Sequence, residues 1–67
     1  PVAPAEQLFK QLALPGPERG LAAHDLTRLP AADLRKVLPK LKELEAAEKQ
    51  DGVKAELRKA IEKAGGG

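Results

Sequence analysis

The chain contains no cysteine, serine, asparagine, tyrosine, tryptophan or methionine, and its one aromatic residue is Phe9. Without cysteine there is neither a disulfide nor a thiolate metal site, two staples on which very short chains often rely. His24 and Thr27 are the sole members of their types, so little is available to build an activated nucleophile. No run of about 18 apolar residues occurs, and nothing reads as a membrane-spanning helix. No secretory leader is recognisable. An excess of one charge is also lacking: 12 basic and 10 acidic residues leave a net +2, too mild to argue for nucleic acid by itself. The absence of cysteine fits an intracellular setting. The start at Pro1 reads as a piece of a longer protein or a processed terminus.

What is present is a narrow alphabet of Ala, Leu, Lys and Glu. Its 67 residues suffice for one small domain, and a chain of that size buries only about 60% of its unfolded surface. The core has to come from eleven leucines, a few Val and Ile, and many alanines. Such a core is thin, which implies a marginally stable monomer and a gain from self-association or a partner helix.

The pattern predicts an all-α fold, a small bundle of three to four helices over residues 5–64. Residues 1–4 form a flexible lead-in and 65–67 a glycine tail of the kind cloning leaves. Leu8, Phe9 and Leu12 fall on one side of a first helix, 5–13, with Glu6 in its first turn. Residues 15–20 hold two prolines and two glycines and read as a loop or linker. A weaker helix, 21–28, carries the stripe Ala22, Leu26 and Leu29. Pro30 opens the next helix, 30–49, at a position where proline loses no hydrogen bond. Pro39 lies inside that helix and demands a kink or break near residues 35–39. Its apolar stripe is Leu34, Val37, Leu38, Leu41 and Leu44. The next seam position, Glu48, is charged, so the last turns are expected to be exposed and held by pairs such as Glu45 with Lys49.

The turn at Gln50-Asp51-Gly52 decides the architecture. At 100° per residue, the nine steps from Leu44 to Val53 turn the chain by about 900°, half a turn beyond whole turns. A single rod would point the stripe of Leu34 to Leu44 away from that of Val53, Leu57, Ala60, Ile61 and Ala64. A reversal at Asp51-Gly52 lets both meet, which predicts an antiparallel hairpin of the last two helices. Asp51 is then the expected N-cap of helix 53–64, and Gly52 eases the turn.

The chemistry-bearing residues are few. Thr27 follows His24 by three residues, so the two neighbour one another on a helix. His24 lies opposite the apolar stripe, however, with no third group to orient it, and reads as a surface residue. His24-Asp25 are adjacent and do not converge on one ion. Glu43, Glu45 and Glu48 lie on faces without an apolar pocket and read as solubilising charge. No catalytic, cofactor or metal site is expected.

Basic residues flank the stripes: Arg35 and Lys42 on one side of the third helix, Lys36 and Lys40 on the other, and Lys54, Arg58, Lys59 and Lys63 along the last helix. No aromatic is interleaved to stack bases, and Glu43, Glu45, Glu56 and Glu62 dilute the field. Gly52-Val53-Lys54-Ala55-Glu56-Leu57, with Ile61 four residues on, resembles the second half of a SAP motif, a helix–extended–helix DNA-binding module. The resemblance spans about fifteen residues and implies that Lys54 and Arg58 contact phosphates. It departs from the family at Ala47-Glu48, where the family carries Gly-Leu.

The residues together support a non-catalytic protein-interaction or oligomerisation module. Its partner is another protein or a second copy, with Leu38, Leu41, Leu44, Leu57 and Ile61 as anchors. The other reading is a small nucleic-acid binder using Lys54, Arg58, Lys59 and Lys63.

Overall fold

The computed structural model describes residues 4–13 and 17–66. They form five helices: α1 (Pro4–Leu12), α2 (Pro17–Thr27), α3 (Ala31–Lys36), α4 (Leu38–Ala47) and α5 (Asp51–Lys63). No strand occurs among the described residues. The radius of gyration is 10.5 Å, close to the value of about 11 Å for a compact chain of this length. Residues 1–3 of the expected lead-in, Leu14, residues 15–16 of the expected loop and 67 of the expected tail lie outside the described residues.

Helix α1 follows the sequence pattern closely. Glu6 stands in its first turn and Lys10 in its last, each opposite in sign to the adjacent end of the helix dipole. Ala5 and Leu12 are buried, while Leu8 and Phe9 are half-buried against the core. The helix packs on α2.

Helix α2 begins at Pro17, four residues earlier than the pattern predicts, so 17–20 is helix and not loop. Proline at a first helical position sacrifices no hydrogen bond, and Glu18 sits where the dipole favours an acid. Gly20 inside the helix disfavours it by about 1 kcal/mol relative to alanine. Burial of Ala22, Ala23 and Leu26, each fully enclosed, outweighs that. Lys63 Nζ donates to the Thr27 carbonyl at 3.0 Å, so a cation from α5 closes the C-terminus of α2.

Pro30 is the N-cap of α3 rather than its first residue. Its φ of −57° and ψ of 146° are extended, and its carbonyl accepts the N–H groups of Asp33 and Leu34 at 3.0 and 3.1 Å. The proline at 39 breaks the long helix as expected. Val37, at φ −116° and ψ 17°, ends α3 and caps α4. Pro39 thereby becomes the second residue of α4, where its missing N–H would have had no helical partner. Leu34 and Leu41 on either side of the break are fully buried.

The second break differs in detail from the expected turn. Helix α4 ends at Ala47, and residues 48–50 are not helical. Glu48 (φ −72°, ψ 132°) and Gln50 (φ −86°, ψ 121°) are extended. Residues 40–63 are therefore not one rod. Gln50, not Asp51, occupies the N-cap of α5, and no side chain caps that end by hydrogen bond. Asp51 and Gly52 are the first two residues of α5. Gly52 takes no positive φ; the break falls on residues 48–50.

The C-terminus of α5 is built, not loose. Gly65 has φ +87°, the left-handed conformation in which glycine escapes the Cβ clash of other residues. The Gly65 N–H donates to Glu62 O at 2.9 Å and the Gly66 N–H to Ile61 O at 3.0 Å. These are the paired bonds of a Schellman cap, so Gly65 and Gly66 depart from the expected flexible tail. Gly66 lies so close to Leu38 that a Cβ there would fall 2.7 Å from its Cδ2.

Helix α5 is the hub. It packs on α2, α3 and α4, most extensively on α2, and contributes Val53, Leu57, Ala60 and Ile61 to the core. Ala64, just beyond it, is buried with them.

Candidate functional site

The site is built where the end of α1, the start of α2 and the end of α4 converge on α5. Arg19, in the first turns of α2, donates from Nε to the Leu12 carbonyl at 3.2 Å, satisfying one of the open carbonyls at the C-terminus of α1. Its Nη2 donates to Glu48 Oε1. The other oxygen of Glu48 accepts the Lys49 and Gln50 N–H groups at 3.2 and 3.1 Å. One carboxylate thus holds the non-helical segment 48–50 before α5 and fastens it to α2.

The Glu48 side chain is 5% exposed and that of Arg19 29%. The residue Glu48 as a whole is only half-buried, because its backbone lies in the open turn. This replaces the expectation of a solubilising Glu48. A charge so enclosed is tolerated when it is paired and its oxygens are hydrogen-bonded. A signal was present in the sequence: Glu48 continues the seam of Leu41 and Leu44, and a carboxylate on a buried seam requires a cation. Nothing in the pattern named Arg19, because residues 17–20 read as loop.

Beside this network lies a half-open cleft of about 270 Å³. It is lined by Phe9, Leu12 and Ala13 from the end of α1, by Lys40, Leu44, Ala47 and Glu48 in and just after α4, by Arg19 of α2 and by Leu57 of α5. Apolar contact with fixed charges of both signs nearby is what this lining offers a ligand.

The expected anchors are divided by the fold. Leu41, Leu57 and Ile61 are buried in the domain's own core, whereas Leu38 and Leu44 are half-buried and pack against it. Leu44 and Leu57 line the cleft, while Leu38 meets Gly66. Leu41 and Ile61 are therefore withdrawn from any partner in this fold.

The basic residues of α5 are mostly engaged within the domain. Arg58 Nη2 lies 3.3 Å from Glu45 Oε2, so Glu45 pairs across to α5 rather than with Lys49. Lys59 Nζ lies 3.4 Å from Glu56 Oε1, and Lys63 holds the Thr27 carbonyl. Lys54 is half-buried. Phosphate contact would compete with these intramolecular bonds.

His24 is exposed, as expected, yet it has a partner. Its Nδ1 lies 3.2 Å from Glu56 Oε2, linking α2 to α5. That hydrogen bond, with Lys59 beside it, holds the Glu56 carboxyl below its usual range despite some opposing desolvation. The Thr27 hydroxyl donates to the His24 backbone carbonyl, the ordinary back-bond of a helical threonine, and not to the imidazole. Among the described residues no group of three or more His, Cys, Asp or Glu is placed to hold a metal ion. No described helix is long and apolar enough to cross a membrane.

No family model, curated protein or solved structure matches this chain.

Proposed function

We propose that this domain is a non-catalytic protein-interaction module that seats an apolar side chain of a partner protein in the cleft between α1 and α4. The observation that carries the reading is the cleft itself, lined by apolar Phe9, Leu12, Leu44 and Leu57 together with the charged Arg19, Lys40 and Glu48. Its volume of about 270 Å³ is at the lower end of ligand pockets, suited to one or two side chains. The charged groups of the lining would select the flanks of a peptide. Helices α4 and α5 supply the frame, and we read them as an antiparallel hairpin. Leu38 neighbours Gly66 and Glu45 neighbours Arg58, so position advances along α4 as it retreats along the other strand of the hairpin.

A displayed library of random peptides, selected on the domain and then titrated singly into ¹⁵N-labelled protein, tests this. The expected peptides carry a large apolar residue, shift the amides around Phe9, Leu44 and Ala47, and lose binding with Leu44→Lys. Leu21→Lys, at a leucine that is 65% exposed on α2, leaves binding intact. Selected peptides whose shifts map away from the cleft, or whose affinity ignores Leu44→Lys, would overturn the reading.

A further inference from the structure

We propose that α5 is exchangeable between two copies of this chain, with residues 48–50 as the hinge that straightens into helix. Three observations converge on this. The hinge is Glu48-Lys49-Gln50, three good helix formers with no proline and no positive φ among them. Nothing in its covalent structure forbids a helix running from Leu38 to Lys63. What holds the bend is a side-chain network: the Glu48 carboxylate on the Lys49 and Gln50 N–H groups and on Arg19.

The geometry of the straightened form also suits a second copy. The half turn between Leu44 and Val53 would aim the α4 stripe at its own body and the α5 stripe to the opposite side. Val53, Leu57, Ala60 and Ile61 are buried by α2, α3 and α4 in the closed chain. An extended α5 finds the same three helices, with the same complementary surface, only on another copy. The exchange remakes every contact of α5 and adds three residues of helix, so its main penalty beyond the entropy of association is the lost Glu48–Arg19 network. A short hinge with helical propensity on both sides is a recognised route to swapping.

The exchange does not depend on what the cleft binds. Leu57 would return to a cleft from the partner copy, so peptide binding survives in both forms and each proposal fails separately.

The test removes the network and reads both mass and shape. Glu48→Ala is refolded at millimolar and micromolar concentrations and sized by sedimentation. Since the chain has no cysteine, Lys42→Cys and Glu62→Cys accept spin labels cleanly. Labelled chains are diluted into unlabelled excess, so that only distances within one chain are read. The closed form brings the two sites to neighbouring helices with axes about 10 Å apart. The straightened form separates their backbones by about 30 Å, twenty residues at 1.5 Å each.

The expected result is a dimer dissociation constant at least about tenfold lower for Glu48→Ala than for the unsubstituted chain, a ratio equivalent to about 1.4 kcal/mol. The dimer carries the long distance. Adding Gln50→Pro, which forbids helix across the hinge, returns the chain to a monomer with the short distance. A Glu48→Ala protein that is monomeric at every concentration, or whose dimer keeps the short distance, overturns the exchange. Should Glu48→Ala not fold, the unsubstituted chain refolded at millimolar concentration decides on the same two readings.

Discussion

Replacing Gly20 by alanine separates this structure from the loop that two prolines and two glycines suggest. Gly20 is a helical residue of α2, and apart from the adjoining backbone of its own helix no heavy atom lies within 4 Å of the position its Cβ would take. Alanine there adds no clash, removes conformational freedom from the unfolded chain and raises helix propensity, together about 0.5–1 kcal/mol of stabilisation. For 67 residues, an unfolding entropy near 2.1 cal/mol/K per residue makes about 0.14 kcal/mol/K. The gain converts to a rise in melting temperature of about 4–7 °C. The same substitution at Gly65 should act in the opposite sense. Its φ of +87° costs alanine about 1–2 kcal/mol in left-handed strain, partly offset by the unfolded-state gain, and the melting temperature falls by several degrees. Circular dichroism at 222 nm, with all proteins at one concentration, reads both. A Gly20→Ala protein that melts at or below the parent temperature would refute the helical assignment of 17–20. A neutral Gly65→Ala would refute the Schellman cap.

Leu41→Ala removes a fully buried side chain and should cost about 2–5 kcal/mol. A domain of this length holds roughly 3–10 kcal/mol in all, so the denaturant midpoint falls by about a fifth or more, and a shift under about 0.5 kcal/mol would place Leu41 outside the core. Arg19→Ala leaves Glu48 enclosed without its cation and is expected to destabilise by about 2–4 kcal/mol, less than a fully buried pair because Arg19 is partly solvated; Arg19→Lys, which cannot serve Leu12 O and Glu48 in one fork, recovers only part of the loss. Glu56, whose carboxyl titrates below its usual range in the folded chain, stabilises the fold above the unfolded glutamate value of about 4.3. That contribution fades as pH falls through the lower folded value. Urea midpoints from pH 2 to 7 should show a gentler acid decline for Glu56→Gln, and parallel curves would remove the His24–Glu56 contact from the energetics.

The all-α class, the proline break between α3 and α4, the interruption before α5 and the apolar face of α5 were legible because each rests on local chemistry. Proline has one φ and no donor at 39 as anywhere else, and Val53, Leu57, Ala60 and Ile61 repeat at the helical period. Helix α2 was hard to read for the converse reason. Its buried face is Ala22, Ala23 and Leu26, small residues whose value lies in how closely α5 approaches them, and that is a property of the pair rather than of the segment. The cap at Gly65-Gly66 reads as a tail unless Leu38 is known to lie against it. Of the five expected anchors, Leu44 and Leu57 do reach the cleft, but periodicity alone says only that a residue faces something apolar. Whether that is the chain's own core, as for Leu41 and Ile61, or an opening toward solvent depends on where α1 is laid.

Arg19 and Glu48 show how this chain manages without the staples its composition denies it. A thin core of leucine and alanine provides little to choose one arrangement of five short helices over another. A carboxylate on the buried seam imposes a choice, because few arrangements give it a cation and two backbone N–H donors together. The arrangement seen does so, and the same guanidinium closes the end of α1. Buried pairs of this kind add little net stability compared with well-packed apolar groups. Their effect is on the alternatives, since every packing that leaves Glu48 enclosed and unpaired is penalised by several kcal/mol. If that is its role, replacing Arg19 and Glu48 together by Met and Leu should cost far less stability than Arg19→Ala alone, while loosening the choice between the bent and straightened hinge. A double variant as unstable as Arg19→Ala would show that the pair acts through net stability instead, and that apolar packing cannot substitute for it at the head of α5.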